Sequence, residues 1–133
     1  RYQAEYLPFE KLLQTADVIL LHTPYTAATH HLIDEREFSL MKKGCIVINT
    51  ARGAIINEQA LVNNLTNGKL FGAGLDVFEF EPKISPQLQQ LDNVVLAPHT
   101  GTATIETRLE MAQTVAQNIL YFYNHDSRIN RVI

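Results

Sequence analysis

Gly44-Cys45-Ile46-Val47-Ile48-Asn49-Thr50-Ala51-Arg52-Gly53 decides how the chain is read. An almost continuous apolar run, Cys45 to Ile48, follows one glycine. It turns polar at Asn49 and Thr50 and delivers an arginine beside a second glycine. Such a run reads as a strand of a parallel sheet, covered on both faces. In open α/β sheets, ligands bind just beyond the carboxyl ends of these strands. Arg52 stands at that place.

Working outward, Leu7, Phe9, Leu12, Leu13 and Ala16 share one helical face over 7–16. Val18-Ile19-Leu20-Leu21 is a short strand that runs into His22-Thr23-Pro24, where proline ends the ladder. Residues 26–33 are polar and turn-like. Asp34 caps a short helix through Met41, with Glu37 completing a capping-box pattern. Beyond the opening strand, Asn57 has the position of an N-cap for a helix over 58–67 that Gly68 stops. A third strand is predicted over 70–75, ending at Asp76. Residues 78–90, with Pro82 and Pro86, read as a loop. Val94-Val95-Leu96-Ala97 is a fourth strand closed by Pro98-His99. A long helix over 103–123 carries a stripe of Leu109, Ala112, Val115, Ala116, Ile119, Leu120 and Tyr123, and the polar tail after it is expected to be extended.

Strands separated by helices imply right-handed crossovers and a parallel sheet. Four strands are few for such a sheet, and one edge would lie open. The fold class expected is α/β: the second half of a Rossmann-like, doubly wound sheet, with a long C-terminal helix.

Composition narrows the function. The chain has 133 residues, 46% hydrophobic and 19% charged, an ordinary globular balance. Its net charge of -3 and the absence of a basic stripe argue against nucleic acid as a partner. No apolar run approaches a membrane span. The single cysteine, Cys45, excludes an internal disulfide framework and fits a reducing compartment, so a cytoplasmic location is expected. Inside its apolar run it reads as a small buried hydrophobe. The chain begins at Arg1 rather than Met, which fits a fragment of a longer protein.

If the sheet is parallel, Arg52, Asp76, His99 and the His22-Thr23-Pro24 segment lie along one rim, and Glu81 follows Asp76 by five residues. A guanidinium at a strand end can hold a carboxylate through two parallel hydrogen bonds, although a surface arginine paired with a helix carboxylate would also account for Arg52. An imidazole can deliver a proton near neutral pH, and a carboxylate beside it favours its charged form. His99 with Glu81 fits that pattern, as would a loop histidine and a solvated glutamate. Gly72-Ala73-Gly74 is no phosphate loop, because a dinucleotide fingerprint needs a third glycine opening a helix; close backbone packing explains it better. His22, His30 and His31 lack a second ligand cluster, so no metal is expected, and His125 reads as a solvated tail residue.

Taken together these motifs resemble the C-terminal part of the D-isomer-specific 2-hydroxyacid dehydrogenases. The likeness covers nearly the whole chain, from Ala16-Asp17-Val18 and His22-Thr23-Pro24 through Met41-Lys42-Lys43-Gly44 and Ile48-Asn49-Thr50-Ala51-Arg52-Gly53. It continues with Gly72-Ala73-Gly74-Leu75-Asp76-Val77-Phe78, Glu81-Pro82 and Pro98-His99-Thr100-Gly101-Thr102-Ala103-Thr104. The resemblance implies three catalytic residues: Arg52 on the substrate carboxylate, His99 as acid/base and Glu81 as its partner. It implies a site for NAD or NADP formed by His22, Thr23, Pro24, Thr50, Ala51, Arg52, Asp76, His99 and Gly101, with Asp76 at the nicotinamide carboxamide.

The resemblance further implies a small 2-oxo or 2-hydroxy acid as substrate and a homodimer as the assembly. Residues 1–101 would be the second half of the dinucleotide domain, and 102–133 a final helix and tail that pack on a substrate domain. The family's glycine-rich phosphate loop and its cofactor-selecting residue would lie upstream, so this stretch alone is expected to bind cofactor poorly and not to turn over. Glyoxylate/hydroxypyruvate-type and D-lactate-type activities both remain open. Two other readings stand beside the enzyme: a non-catalytic, NAD(H)-sensing corepressor-like protein, and an assembly module that dimerises through exposed apolar surface.

Overall fold

The computed structural model describes residues 4–130. They form two compact units, one ending at His99 and one beginning at Thr100.

The first unit contains α1 (Phe9–Thr15), β1 (Val18–Leu21), α2 (Glu35–Leu40), β2 (Cys45–Asn49), α3 (Glu58–Thr66), β3 (Leu70–Leu75), α4 (Pro86–Gln89) and β4 (Val94–Leu96). The four strands form one sheet in the order β1-β2-β3-β4, every pair parallel. The expected α/β architecture is therefore present.

Local chemistry sets the element ends. Asp34 and Glu37 close a capping box on α2, with the Glu35 N–H donating to Asp34 Oδ1 at 2.8 Å. Asn57 caps α3 by accepting from the Ala60 N–H at 3.1 Å. Gly68, at φ +73°, ends the following turn in a conformation that favours glycine.

The core collects on one face of the sheet. Ile19, Leu21, Cys45, Val47, Leu70 and Leu75 pack with Leu13, Phe38, Leu61 and Leu65 of α1 to α3. Burial pushes the Cys45 thiol above its ordinary value, helped by the charge of Asp17, so this residue behaves as the small hydrophobe expected. The opposite face departs from expectation. Val18, Leu20 and Val95 are exposed and Ile46 and Ile48 only half-buried, so β2 is not covered on both faces among the described residues. The sheet alternation places these apolar residues opposite the helix-covered face.

A further difference concerns the loop after β3. Residues 78–90 are not all loop: Ser85 accepts from the Gln87 N–H, Pro86 opens α4, and Leu88 is fully buried. Gly72 does meet backbone closely, since a Cβ there would fall 2.7 Å from the Asn93 carbonyl oxygen, whereas at Gly74 it would make ordinary contact with Ile48.

The second unit is built on α5 (Ile105–Tyr123), which Thr104 caps through the Thr107 N–H. None of its residues is buried, and Leu109, Val115, Ile119 and Leu120 of the predicted stripe are all exposed. The expected extended tail, whose last three residues lie outside the described residues, is not extended as far as residue 130. Asp126 accepts from the Arg128 N–H and pairs with its guanidinium, which lies 4.7 Å over the Tyr121 ring, and the Asn130 N–H donates to Asn118 Oδ1 at 3.1 Å. These polar side chains fold the tail back, where its polarity suggested an extended segment. No helix among the described residues is long and apolar enough to cross a membrane.

Candidate active site

The sheet register aligns the strand ends. Leu21 stands opposite Asn49, Asn49 opposite Leu75, and Leu75 opposite Leu96. The residues that follow these four therefore emerge along one rim, which holds His22-Thr23-Pro24, Thr50-Ala51-Arg52, Asp76 and the Pro98-His99 end.

Asn49 shapes the middle of that rim. Its buried side chain accepts from the Ala51 N–H and donates to the Arg52 carbonyl, both at 3.0 Å. This tight turn puts Arg52 at the start of a 3-10 segment, Gly53–Ile55, with its guanidinium exposed and Nη1 donating to the Ala51 carbonyl at 2.6 Å. Gly53 is required by proximity rather than by φ: a Cβ there would lie 1.9 Å from the Phe78 carbonyl carbon. The Arg52 segment thus abuts the loop that carries Glu81.

On that loop, Glu81 Oε1 accepts from the Phe78 N–H at 2.9 Å and Glu81 Oε2 meets His99 Nδ1 at 2.8 Å. Burial alone would raise the Glu81 carboxyl. The His99 hydrogen bond, the Phe78 amide and the charges of His99 and Arg52 outweigh it and hold the carboxyl below its ordinary value. His99 has φ 54°, in the left-handed region that histidine enters more readily than most residues. With Nδ1 on the carboxylate, Nε2 is the ring nitrogen that can serve a substrate.

His22, Thr23, Pro24, Tyr25, Thr50, Ala51 and Arg52 line a cleft of about 650 Å³. Six of these seven were expected at a cofactor site; Tyr25 was not. Thr23 Oγ1 is buried without a hydrogen-bond partner among the described residues, an orphan that a polar ligand group would satisfy. The donor set therefore fits a nucleotide cofactor. Asp76 and His99 belong to the same unit but do not line this cleft, and Gly101 lies in the unit that begins at Thr100.

Sequence reading passed over a second imidazole–carboxylate pair. His31 Nε2 is 2.7 Å from Glu79 Oε1, and His31, like His99, has a left-handed φ, here 50°. Glu79 and Glu58 exchange main-chain bonds: Glu79 Oε2 accepts from the Glu58 N–H at 2.9 Å, and Glu58 Oε2 accepts from the Glu79 N–H at 3.1 Å. No group of three or more His, Cys, Asp or Glu side chains among the described residues could hold a metal ion.

Residues 1–101 match the profile of the family described as "D-isomer specific 2-hydroxyacid dehydrogenase, NAD binding domain". The chain belongs to this family. A glyoxylate reductase from Thermococcus litoralis is 52% identical over 119 residues, which cover 90% of this chain and 36% of that protein. The crystal structure of D-lactate dehydrogenase from Aquifex aeolicus complexed with NAD and lactic acid superposes with a TM-score of 0.83 at 36% identity, over 92% of this chain and 41% of that one. An NADPH-dependent glyoxylate/hydroxypyruvate reductase from Sinorhizobium meliloti, in complex with NADP and malonate, gives 0.84 at 31% identity, over 94% of this chain and 42% of that one. The chain thus spans about a third of the length of the Thermococcus relative. As a member of the 2-hydroxyacid dehydrogenase family it is an NAD-binding domain of Rossmann type, matching the resemblance read from the motifs.

Proposed function

We propose that the protein carrying this chain reduces small 2-oxo acids to 2-hydroxy acids, with His99 as the proton donor. The observation that carries this reading is the His99–Glu81 pair at 2.8 Å, on the rim that also presents Arg52. The names of the 2-hydroxyacid dehydrogenase relatives support it, glyoxylate reductase foremost.

The roles follow from chemistry. Arg52, an exposed guanidinium at a strand end, binds the substrate carboxylate in a forked contact and stabilises negative charge as it develops on the neighbouring oxygen. His99 gives its Nε2 proton to that oxygen. Glu81 fixes the ring through Nδ1. Reduced NAD or NADP, when bound, supplies the hydride for C2 of the 2-oxo acid. His22, Thr23, Pro24, Thr50, Ala51 and Arg52, which line the cleft, receive the cofactor, and Asp76, on the same rim, is a further contact for it.

Steady-state reduction of glyoxylate, hydroxypyruvate and pyruvate by the full-length protein, with NADH and with NADPH, tests the reading beside a His99→Ala variant. Turnover of at least one 2-oxo acid is expected, and its loss in the variant. No turnover with any of them, or an undiminished rate in the variant, would overturn it. Partner capture that depends on NAD(H) without turnover would favour a sensing protein instead.

A further inference from the structure

The pair His31–Glu79 and its neighbour Glu58 lie outside the cleft, and the chemistry proposed above makes no use of them. Their burial is unusual for charged side chains: Glu58 is 6% exposed and the Glu79 side chain 11%. Buried carboxylates persist only when their oxygens are satisfied. Here the bonds satisfying them run between distant parts of the chain. Glu58 is the first residue of α3, where a helix N-terminus favours negative charge, and Glu79 accepts its N–H. Glu58 returns the bond to the Glu79 N–H, and His31 holds the remaining Glu79 oxygen. The loop leaving β3 is therefore fastened at Glu79 from two sides.

That fastening sits between the two arms of the site. One residue before it, Phe78 presents its carbonyl to Gly53, next to Arg52, and its N–H to Glu81. Two residues after it, Glu81 reaches His99. A loop tied down at residue 79 has little freedom to carry residue 81 away from the imidazole. A loop released there can move Glu81 by an ångström or more, and misplacement of that size is costly at a reacting centre.

We propose that Glu79, held by Glu58 and His31, is a positioning residue that sets the Glu81 carboxylate on His99. This rests on the proton-transfer role given to the His99–Glu81 pair. Glu79 touches no reacting atom; it acts through the loop.

The test is the pH dependence of kcat and kcat/KM for glyoxylate reduction by the full-length protein. Wild type, Glu79→Ala, Glu79→Gln and Glu81→Gln are compared. Reduction needs the protonated pair, so the rate falls on the alkaline side. Weakening the carboxylate's hold makes the proton easier to lose, and the alkaline limb moves to lower pH. Glu81→Gln is expected to show this shift in full. Glu79→Ala is expected to shift the same limb in the same direction by less, with kcat down about tenfold. Glu79→Gln, which keeps an oxygen for the Glu58 N–H, is expected to recover most of the rate.

A Glu79→Ala protein that melts earlier but keeps the wild-type limb and kcat would overturn the proposal, as would a change confined to KM. An unmoved limb in Glu81→Gln would instead overturn the role of the His99–Glu81 pair, and the positioning role with it. Should Glu79→Ala fail to fold, His31→Asn removes one of the two fastenings with a residue that tolerates the left-handed backbone. A smaller shift of the same limb is then expected, and a wild-type limb in folded His31→Asn would overturn the proposal.

Discussion

The two histidine–glutamate pairs use the same parts in different surroundings. Both imidazoles sit on left-handed backbone, and both carboxylates come from one short stretch, Glu79 and Glu81. The His99–Glu81 side chains are 46% and 36% exposed, on the rim with Arg52, whereas those of His31 and Glu79 are 29% and 11% exposed. Glu81 spends one oxygen on a single backbone amide and keeps the other for an imidazole at the rim. Glu79 is locked into a reciprocal exchange with Glu58 at the start of a helix. An ion pair at an open rim can exchange its proton with a ligand. A pair enclosed by backbone donors holds two segments together. The surroundings, not the residue types, separate chemistry from scaffolding here.

The largest effect is expected at Arg52. Arg52→Ala should lower kcat/KM for a 2-oxo acid by about 10²–10³-fold through lost transition-state charge stabilisation. Arg52→Lys should restore only part of it, because an ammonium lacks the forked geometry. Steady-state kinetics decides, and a fully active Arg52→Lys would separate Arg52 from carboxylate recognition.

Gly53→Ala probes the junction between the two pairs. The added Cβ meets Phe78 backbone, which cannot rotate away, so a loss of about 1–3 kcal/mol is expected by denaturant titration. The same change at Gly74 meets only the Ile48 side chain at 3.7 Å and should cost less.

A smaller effect comes from pH. The folded Glu81 carboxyl lies below its ordinary value of 4.5, so its contribution to stability is fully present above that value and is lost as pH falls through the folded one. The melting temperatures of wild type and Glu81→Gln should therefore converge on acidification below about 4.5 and differ above it. Asp126 offers a control remote from both pairs. Its hydrogen bonds from Arg128 bring the carboxyl down to about 2, and Arg128→Met should raise the titration midpoint seen by NMR toward the ordinary 3.8.

Much of this arrangement was legible in the sequence. The strands Val18–Leu21 and Leu70–Leu75 match their apolar runs residue for residue, because a short run between polar brackets has one register to adopt. The caps at Asp34 and Asn57 were equally readable, being local chemistry within three residues. The rim followed from parallel topology, which brings Arg52, Asp76 and the His99 end to one edge. What escaped depends on packing across the chain. Glu79 meets His31 across 48 residues and Glu58 across 21, and no spacing rule links them. Gly53 gave no sign of its close approach to Phe78, because it lies in no glycine pattern. The four-residue α4 was hidden in a proline-containing stretch too short to show helical periodicity.

The two pairs are told apart by kcat for glyoxylate reduction at neutral pH in the full-length protein, with His99→Ala measured beside His31→Asn. Loss of about 10²–10⁴-fold is predicted for His99→Ala, the range for a removed general acid. No more than about threefold, or roughly 0.7 kcal/mol of barrier, is predicted for His31→Asn. Equal losses in the two variants would contradict the division of labour between the pairs.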